Sequence, residues 1–77
     1  MKPLNINYDS VADAIYIRIS SGEIIESEEL KEGIIVDYID EGEIVGIEIL
    51  DYSKRNLDLN ELIKLKLEEI ISKVVSE

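Results

Sequence analysis

Residues 33–50 decide the fold, and they read GIIVDYIDEGEIVGIEIL. Two runs rich in β-branched residues flank Glu41-Gly42, a pair that suits a two-residue hairpin turn in which glycine takes a positive φ. Counting outward from this turn predicts the cross-strand pairs Asp40 with Glu43, Ile39 with Ile44, Tyr38 with Val45, Asp37 with Gly46, Val36 with Ile47, Ile35 with Glu48, and Ile34 with Ile49.

This register divides the hairpin into two faces, because successive residues of a strand point to opposite sides of the sheet. The predicted core face holds Ile34, Val36, Tyr38, Val45, Ile47 and Ile49. The opposite face is a mixture of apolar and acidic residues, namely Ile35, Asp37, Ile39, Ile44, Gly46 and Glu48. We expect the first face to be buried.

A second hairpin is predicted nearer the N-terminus. Ile15, Ile17 and Ile19 alternate with other residues and indicate a strand, and Leu4 to Tyr8 reads as its partner. Short polar side chains in the intervening segment, Asp9 to Asp13, can bond their own backbone and stabilise a turn. Residues 23–32 contain five glutamates and leave two alternatives open, an edge strand or a loop.

The C-terminal segment has the period of a helix. Asp58 and Glu61 form a capping box, and Leu57 with Leu62 occupies the positions of a hydrophobic staple, so a helix should begin at Leu59. At 100° per residue its apolar side carries Leu59, Leu62, Ile63, Leu67, Ile70, Ile71 and Val74, whereas Leu65 falls on the polar side.

The predicted fold class is α+β, an antiparallel sheet of four or five strands in two hairpins with one C-terminal amphipathic helix packed on one face. Residues 1–77 form a single domain, with a β-rich block at 4–53 and the helix at 57–76. One helix covers one face, so we expect a second copy of the chain to cover the other, giving a homodimer. The candidate interaction face consists of Ile35, Asp37, Ile39, Ile44, Glu48 and Leu65.

Composition removes many function classes. Histidine and cysteine are absent, which excludes imidazole-dependent triads, the usual zinc sites and thiol chemistry. The 18 acidic and 8 basic residues give a net charge of −10, which repels nucleic acid and anionic lipid and favours a basic protein partner. No glycine-rich phosphate loop is present, so no cofactor is expected. An apolar N-terminal signal is also absent, so we expect a cytoplasmic protein. The composition, with fifteen isoleucines and no glutamine, resembles the bias reported for proteins from hot environments.

Asp37 and Glu48 offer one route to catalysis. In the predicted register they are diagonal neighbours about 7 Å apart at Cβ, a distance that suits a shared divalent cation or an acid and base pair. The alternative is that they are solvated or pair with Arg18, Lys31 or a partner chain. We predict the second, with no catalytic, metal or cofactor residues, and keep a divalent-cation-dependent hydrolase and a purely structural protein as alternatives.

Two motifs resemble one family of small prokaryotic proteins, domain of unknown function 2283. The first is Tyr8-Asp9-x-x-x-Asp13-x-x-Tyr16-Ile17, and the second runs from Gly33 to Leu50 and is followed by Ser53. The resemblance implies a compact β-rich domain without an established activity. It also implies an antitoxin role, since genes of this type are thought to lie beside those of small predicted toxins. The leading hypothesis is a non-enzymatic protein-interaction module, an acidic antitoxin-like partner of a small toxin.

Overall fold

The structure is a computed structural model that describes residues 5–76. Its elements in this range are β1 (Asn5–Asp9), β2 (Ala14–Arg18), β3 (Glu26–Lys31), β4 (Ile34–Tyr38), β5 (Ile44–Ile49), α1 (Leu59–Leu62) and α2 (Leu67–Ser76). The strands form one sheet in the order β1-β2-β5-β4-β3, and every neighbouring pair is antiparallel. The α+β class is therefore confirmed. Leu4, the predicted start of the first strand, lies outside the described residues.

The hairpin of β4 and β5 follows the predicted register except near its turn. Four pairs are as predicted, from Ile34 with Ile49 through to Asp37 with Gly46. Tyr38, however, faces Ile44 instead of Val45, because a bulge separates it from Asp37. The predicted pairing next to the turn is therefore wrong by one residue.

The turn itself explains this shift. A tight two-residue turn of type I′ needs a positive φ at both central residues, which a glutamate followed by a glycine does not readily supply. Asp40–Gly42 instead forms a short 3-10 turn that ends with Gly42 at φ 77°. The longer turn adds a residue to one strand, and the bulge absorbs it.

Residues 23–32, which were consistent with a strand or a loop, contain the edge strand β3. This strand pairs with β4, and a bulge lies between Glu29 and Lys31. At the opposite edge, β1 pairs with β2, and the turn between them is stabilised as predicted. Asp9 Oδ1 accepts hydrogen bonds from the amides of Val11 and Ala12 at 3.0 and 3.2 Å.

The C-terminal helix begins where predicted, but it is not continuous. Asp58 caps α1 by accepting from the amide of Asn60 at 2.9 Å, and this helix ends at Leu62. A second start follows, where the carboxylate of Glu69 accepts from the amide of Lys66 at 2.8 Å. This is half of a capping box, since Glu69 occupies the third position of α2. Lysine is not a usual N-cap residue, so the pattern did not reveal this start.

The break changes which side chains face the core. Ile63, predicted on the buried side, is 47% exposed. Leu65, predicted on the polar side, is partly buried and packs against the core. Both corrections have the same cause, because residues 63–66 are not helical and the 100° spacing does not hold there. The side chain of Leu67 lies outside the described part of the structure.

A single buried cluster combines residues of the sheet with residues of both helices. It consists of Ile15, Ile17, Ile34, Ile47, Ile49, Leu57, Leu62, Ile70 and Val74. The predicted core face is buried apart from Tyr38, which is half-buried beside the bulge. Within residues 5–76, the helices lack the length and apolar character needed to cross a membrane.

Candidate functional site

The face of the sheet opposite the core, which we call the open face, contains most of the predicted interaction residues. Ile35, Ile39 and Glu48 are half-buried there, and Asp37 is 9% exposed. Ile44, also half-buried, was predicted on this face, but the bulge pairs it with Tyr38 and so moves it to the core side of the sheet. Leu65 does not join them, because it packs against the core cluster. The register places Asp37 opposite Gly46 and Glu48 opposite Ile35, so the two acids are diagonal neighbours as predicted.

Asp37 is the centre of a hydrogen-bond network that spans the open face. Its Oδ2 accepts from the hydroxyl of Tyr16 at 2.9 Å, and its Oδ1 accepts from the hydroxyl of Ser27 at 2.5 Å. Tyr16 belongs to β2, Asp37 to β4 and Ser27 to the edge strand β3. The network therefore links three strands, and the Tyr16 ring crosses β5 above Gly46, where a Cβ would collide with its hydroxyl.

The environment of this network is partly desolvated. Burial raises the pKa of Tyr16 above its ordinary value, and the hydrogen bond and negative charge of Asp37 raise it further. Both carboxylate oxygens of Asp37 already accept one hydrogen bond each, so a cation or a substrate there would share them with Tyr16 and Ser27. Among the described residues, no group of three or more histidine, cysteine, aspartate or glutamate side chains is arranged to hold a metal ion.

Arg18, one of the predicted partners of Asp37, bonds elsewhere. Its Nε donates to the carbonyl of Ser20 at 3.0 Å, and its Nη2 donates to the carbonyl of Gly22 at 2.7 Å. The loop after β2 is thereby held to the sheet. A Cβ at Gly22 would lie 3.1 Å from Ile39 Cγ2, so this loop comes close to one of the isoleucines of the open face.

A second network joins the first hairpin to the chain that follows β5. Asp13 adopts a left-handed conformation, with φ 54°, and its Oδ2 accepts from the Ser53 hydroxyl at 2.7 Å. The amide of Ser53 donates to Asp13 Oδ1 at 3.1 Å, and the Tyr8 hydroxyl donates to the same atom at 3.2 Å. The ring of Tyr8 meets Tyr52 edge to face, with centroids 6.0 Å apart.

The contacts of this second network shift two pKa values. The hydrogen bond from the Ser53 hydroxyl is the main reason that the pKa of Asp13 lies below its ordinary value. The pKa of Tyr8 is raised, first by desolvation and then by its bond to Asp13. Sequence reasoning attributed Asp13 to turn formation alone and missed its contact with Ser53, 40 residues away. The presence of Ser53 in the family motif was the one available signal.

The most exposed feature is the acidic edge, which we define as Glu23–Glu32, comprising β3 and the residues around it. Five glutamates and Lys31 give this segment a net charge of −4 (−5 + 1). The residues of β3 are exposed except for Lys31, which is half-buried. Three large apolar side chains are exposed on the same segment, and Ile25 is the most exposed at 62%, followed by Ile24 and Leu30.

Neighbouring groups orient two carboxylates of the acidic edge. The Tyr38 hydroxyl donates to Glu28 Oε1 at 3.0 Å, and this bond is the main reason that the pKa of Tyr38 is raised. The amide of Gly33 donates to Glu29 Oε2 at 3.0 Å. Glu28 and Glu29 lie on opposite faces of the sheet, so an oriented carboxylate stands on each side of the outer backbone groups of β3, which face away from β4.

Fold and networks together define a small α+β domain whose antiparallel sheet is tied by two tyrosine–aspartate–serine networks. The chain belongs to a family described as "Protein of unknown function (DUF2283)", whose model matches residues 5–53. The match contains all five strands and both networks, and it ends at Ser53, whereas α1 and α2 lie beyond it. No curated protein and no solved structure matches the chain.

Proposed function

We propose that the protein is a non-enzymatic interaction module that binds a basic protein through its acidic edge. The observation that supports this most directly is the position of β3, which is the last strand on its side of the sheet and carries exposed glutamates along its length. An edge strand offers backbone donors and acceptors to an incoming extended chain. The glutamates select which chain binds.

The chemistry of the acidic edge favours a protein over a small cation. Exposed Ile25, together with Ile24 and Leu30, adds apolar area that an inorganic ion does not use. The net charge of −10 adds a long-range attraction that speeds the encounter with a basic partner. A small basic toxin, as implied by the family resemblance, is one partner of this kind.

The open face supports the hydrolase alternative less well. Asp37 already accepts two hydrogen bonds, from Tyr16 and Ser27, so its carboxylate serves to connect strands. Ser27 itself lies on β3, which means that the network on the open face also holds the edge strand in place. We therefore assign this network a structural role, which is to hold the binding edge in place.

Binding can be tested with a defined basic strand. A peptide of alternating lysine and threonine should shift the NMR resonances of β3 at low ionic strength, and raising the salt should weaken the binding. A peptide with glutamate in place of lysine is the control and should cause no shifts. If the lysine peptide leaves all resonances unchanged at low salt, the proposal is wrong and a purely structural role gains support.

Charge reversal tests the location of the contact. The double variant Glu26→Lys/Glu28→Lys should bind the lysine peptide at least about tenfold more weakly, since two attractive contacts of up to about 1 kcal/mol each become repulsive. The matched control, Glu43→Lys/Glu68→Lys, changes the net charge equally at exposed sites outside β3. Equal weakening in both variants would show that general charge, and not the acidic edge, attracts the peptide. Co-expression with the product of a neighbouring gene then tests whether the basic partner is a small toxin.

A further inference from the structure

The two edges of the sheet carry very different charges. β3 has the sequence ESEELK, whereas β1 at the other edge has the sequence NINYD. Asp9, the one charged residue of β1, already uses its Oδ1 to accept from the amides of the turn. Like charges opposite each other destabilise strand pairing, so β3 is protected against pairing with its own copy. β1 has no such protection.

We propose that β1 pairs antiparallel with β1 of a second copy, so that two five-stranded sheets form one continuous sheet of ten strands. The two-fold axis passes beside Asn7, the middle residue of the strand, and all five residues of β1 then find a partner. Asn7 faces Asn7 of the second copy, Ile6 faces Tyr8, and Asn5 faces Asp9. This inference does not depend on the proposed binding of a basic protein.

The side chains of β1 fit this pairing. Ile6 and Tyr8 pair with Ile17 and Ile15 of β2, so both lie on the core side of the sheet. Ile6 packs against the core cluster, whereas Tyr8 is 48% exposed. Placing Ile6 of one copy opposite Tyr8 of the other forms two aliphatic–aromatic pairs, a favourable cross-strand combination, and extends the apolar layer across the interface.

Tyr8 is already held in position for this contact. Its hydroxyl donates to Asp13, and its ring rests against Tyr52. A side chain that is fixed before association loses little conformational entropy when the interface forms. The network around Asp13 therefore holds β1 ready for pairing, much as the network around Asp37 supports the acidic edge.

Electrostatic repulsion also selects β1 as the contact between copies. Each chain has a net charge of −10, which opposes any self-association. Pairing through β3 would bring glutamates of two copies to about 5 Å. Pairing through β1 places the two β3 strands at opposite ends of the ten-stranded sheet, nine spacings of about 4.8 Å or roughly 43 Å apart. The Debye length in physiological salt is about 8 Å, so repulsion between the acidic edges is then screened.

A single cysteine tests the register, since the chain has none of its own. In the proposed pair the Cα atoms of residue 7 lie about 4.5–5.5 Å apart, within the range that a disulfide spans. Mild oxidation should therefore convert Asn7→Cys into a covalent dimer of twice the 8.8 kDa chain mass. The matched control is Asn5→Cys on the same strand, whose two copies lie about 13 Å apart and should not cross-link.

A charge at the two-fold axis tests the association without a covalent bond. In light scattering, the wild-type chain should show a mass near twice 8.8 kDa that falls on dilution. Asn7→Asp should raise the dimer dissociation constant at least tenfold, whereas Asn60→Asp, which adds the same charge on α1, should leave it within about twofold. A wild-type chain that is monomeric at every concentration overturns the proposal. Equally efficient cross-linking of folded Asn5→Cys and Asn7→Cys also overturns it, and so does the absence of cross-linking in both variants. These two outcomes remain decisive even if Asn7→Asp fails to fold.

Discussion

Replacing Gly46 by alanine should destabilise the protein, although alanine is usually the more stable residue in a strand. Gly46 has no positive φ, so its backbone tolerates a side chain. A Cβ there would collide with the hydroxyl and ring of Tyr16. The ring must then move away, and the 2.9 Å hydrogen bond from Tyr16 to Asp37 is lost.

The magnitude follows from two opposing contributions. A hydrogen bond to a charged group contributes about 1.5–3 kcal/mol, and alanine in place of glycine recovers about 0.5–1 kcal/mol of backbone entropy. The expected net loss is about 1–2 kcal/mol. For a domain of this size that corresponds to a fall in Tm of roughly 5–15 °C. Denaturant unfolding followed by far-UV circular dichroism measures it.

A double-mutant cycle separates the collision from other effects. In a Tyr16→Ala background the hydrogen bond is already gone and the space above Gly46 is free. Gly46→Ala should then stabilise the protein by about 0.5–1 kcal/mol, which reverses its sign. If Gly46→Ala costs the same in both backgrounds, or stabilises the otherwise unchanged chain, the packing of Tyr16 across Gly46 does not explain this glycine.

Three further predictions concern other parts of the chain. Because the Ser53 hydroxyl lowers the pKa of Asp13, this pair stabilises the fold above the ordinary pKa of aspartate, and the benefit disappears as the pH falls through the lowered value. Ser53→Ala should therefore raise the pKa of Asp13, seen by carboxyl NMR titration, and flatten the acid limb of stability against pH; an unchanged titration contradicts this. The raised pKa of Tyr16 gives the opposite pH dependence. Its contribution to the stability of the fold is present below pH 10 and is lost as the pH rises through the raised value. Tyr16→Phe should weaken the alkaline loss of stability, and ultraviolet titration of tyrosinate should lose one component whose pKa lies above the ordinary value. Ile63→Lys should change the free energy of unfolding by less than about 0.5 kcal/mol, whereas Leu65→Lys should cost more than about 1 kcal/mol. If Ile63→Lys cost more than Leu65→Lys, the result would favour the continuous helix predicted from the sequence.

The fold was predictable wherever one face of a strand or helix is strongly apolar. The alternation of Val36, Ile47 and Ile49 fixed the central hairpin, because a register slip would have exposed the whole set. The turn was less predictable, since one glycine is compatible with more than one loop length and the bulge absorbs the difference. The helical period mispredicted which way Ile63 and Leu65 face, because the helix is interrupted before them. The second helix starts at an unusual N-cap residue, Lys66, whose amide donates to Glu69.

The candidate site was predictable only in part. The register correctly placed Asp37 and Glu48 on one face, but it gave no means of seeing that Tyr16 reaches across Gly46 to bond Asp37. Contacts between side chains distant in sequence depend on rotamers and strand order, which periodicity does not contain. The acidic edge was unassigned for a related reason, since the glutamates of residues 23–32 show no apolar alternation, and β3 is ordered by pairing with β4.

Amide hydrogen exchange in the presence of the alternating lysine peptide tests the binding edge most directly. If β3 receives an added strand, its outward amides should exchange at least about tenfold more slowly in the complex, while the amides of α2 keep their rates. Protection confined to the open face around Asp37, or no protection of β3 when the peptide is bound, would contradict the account.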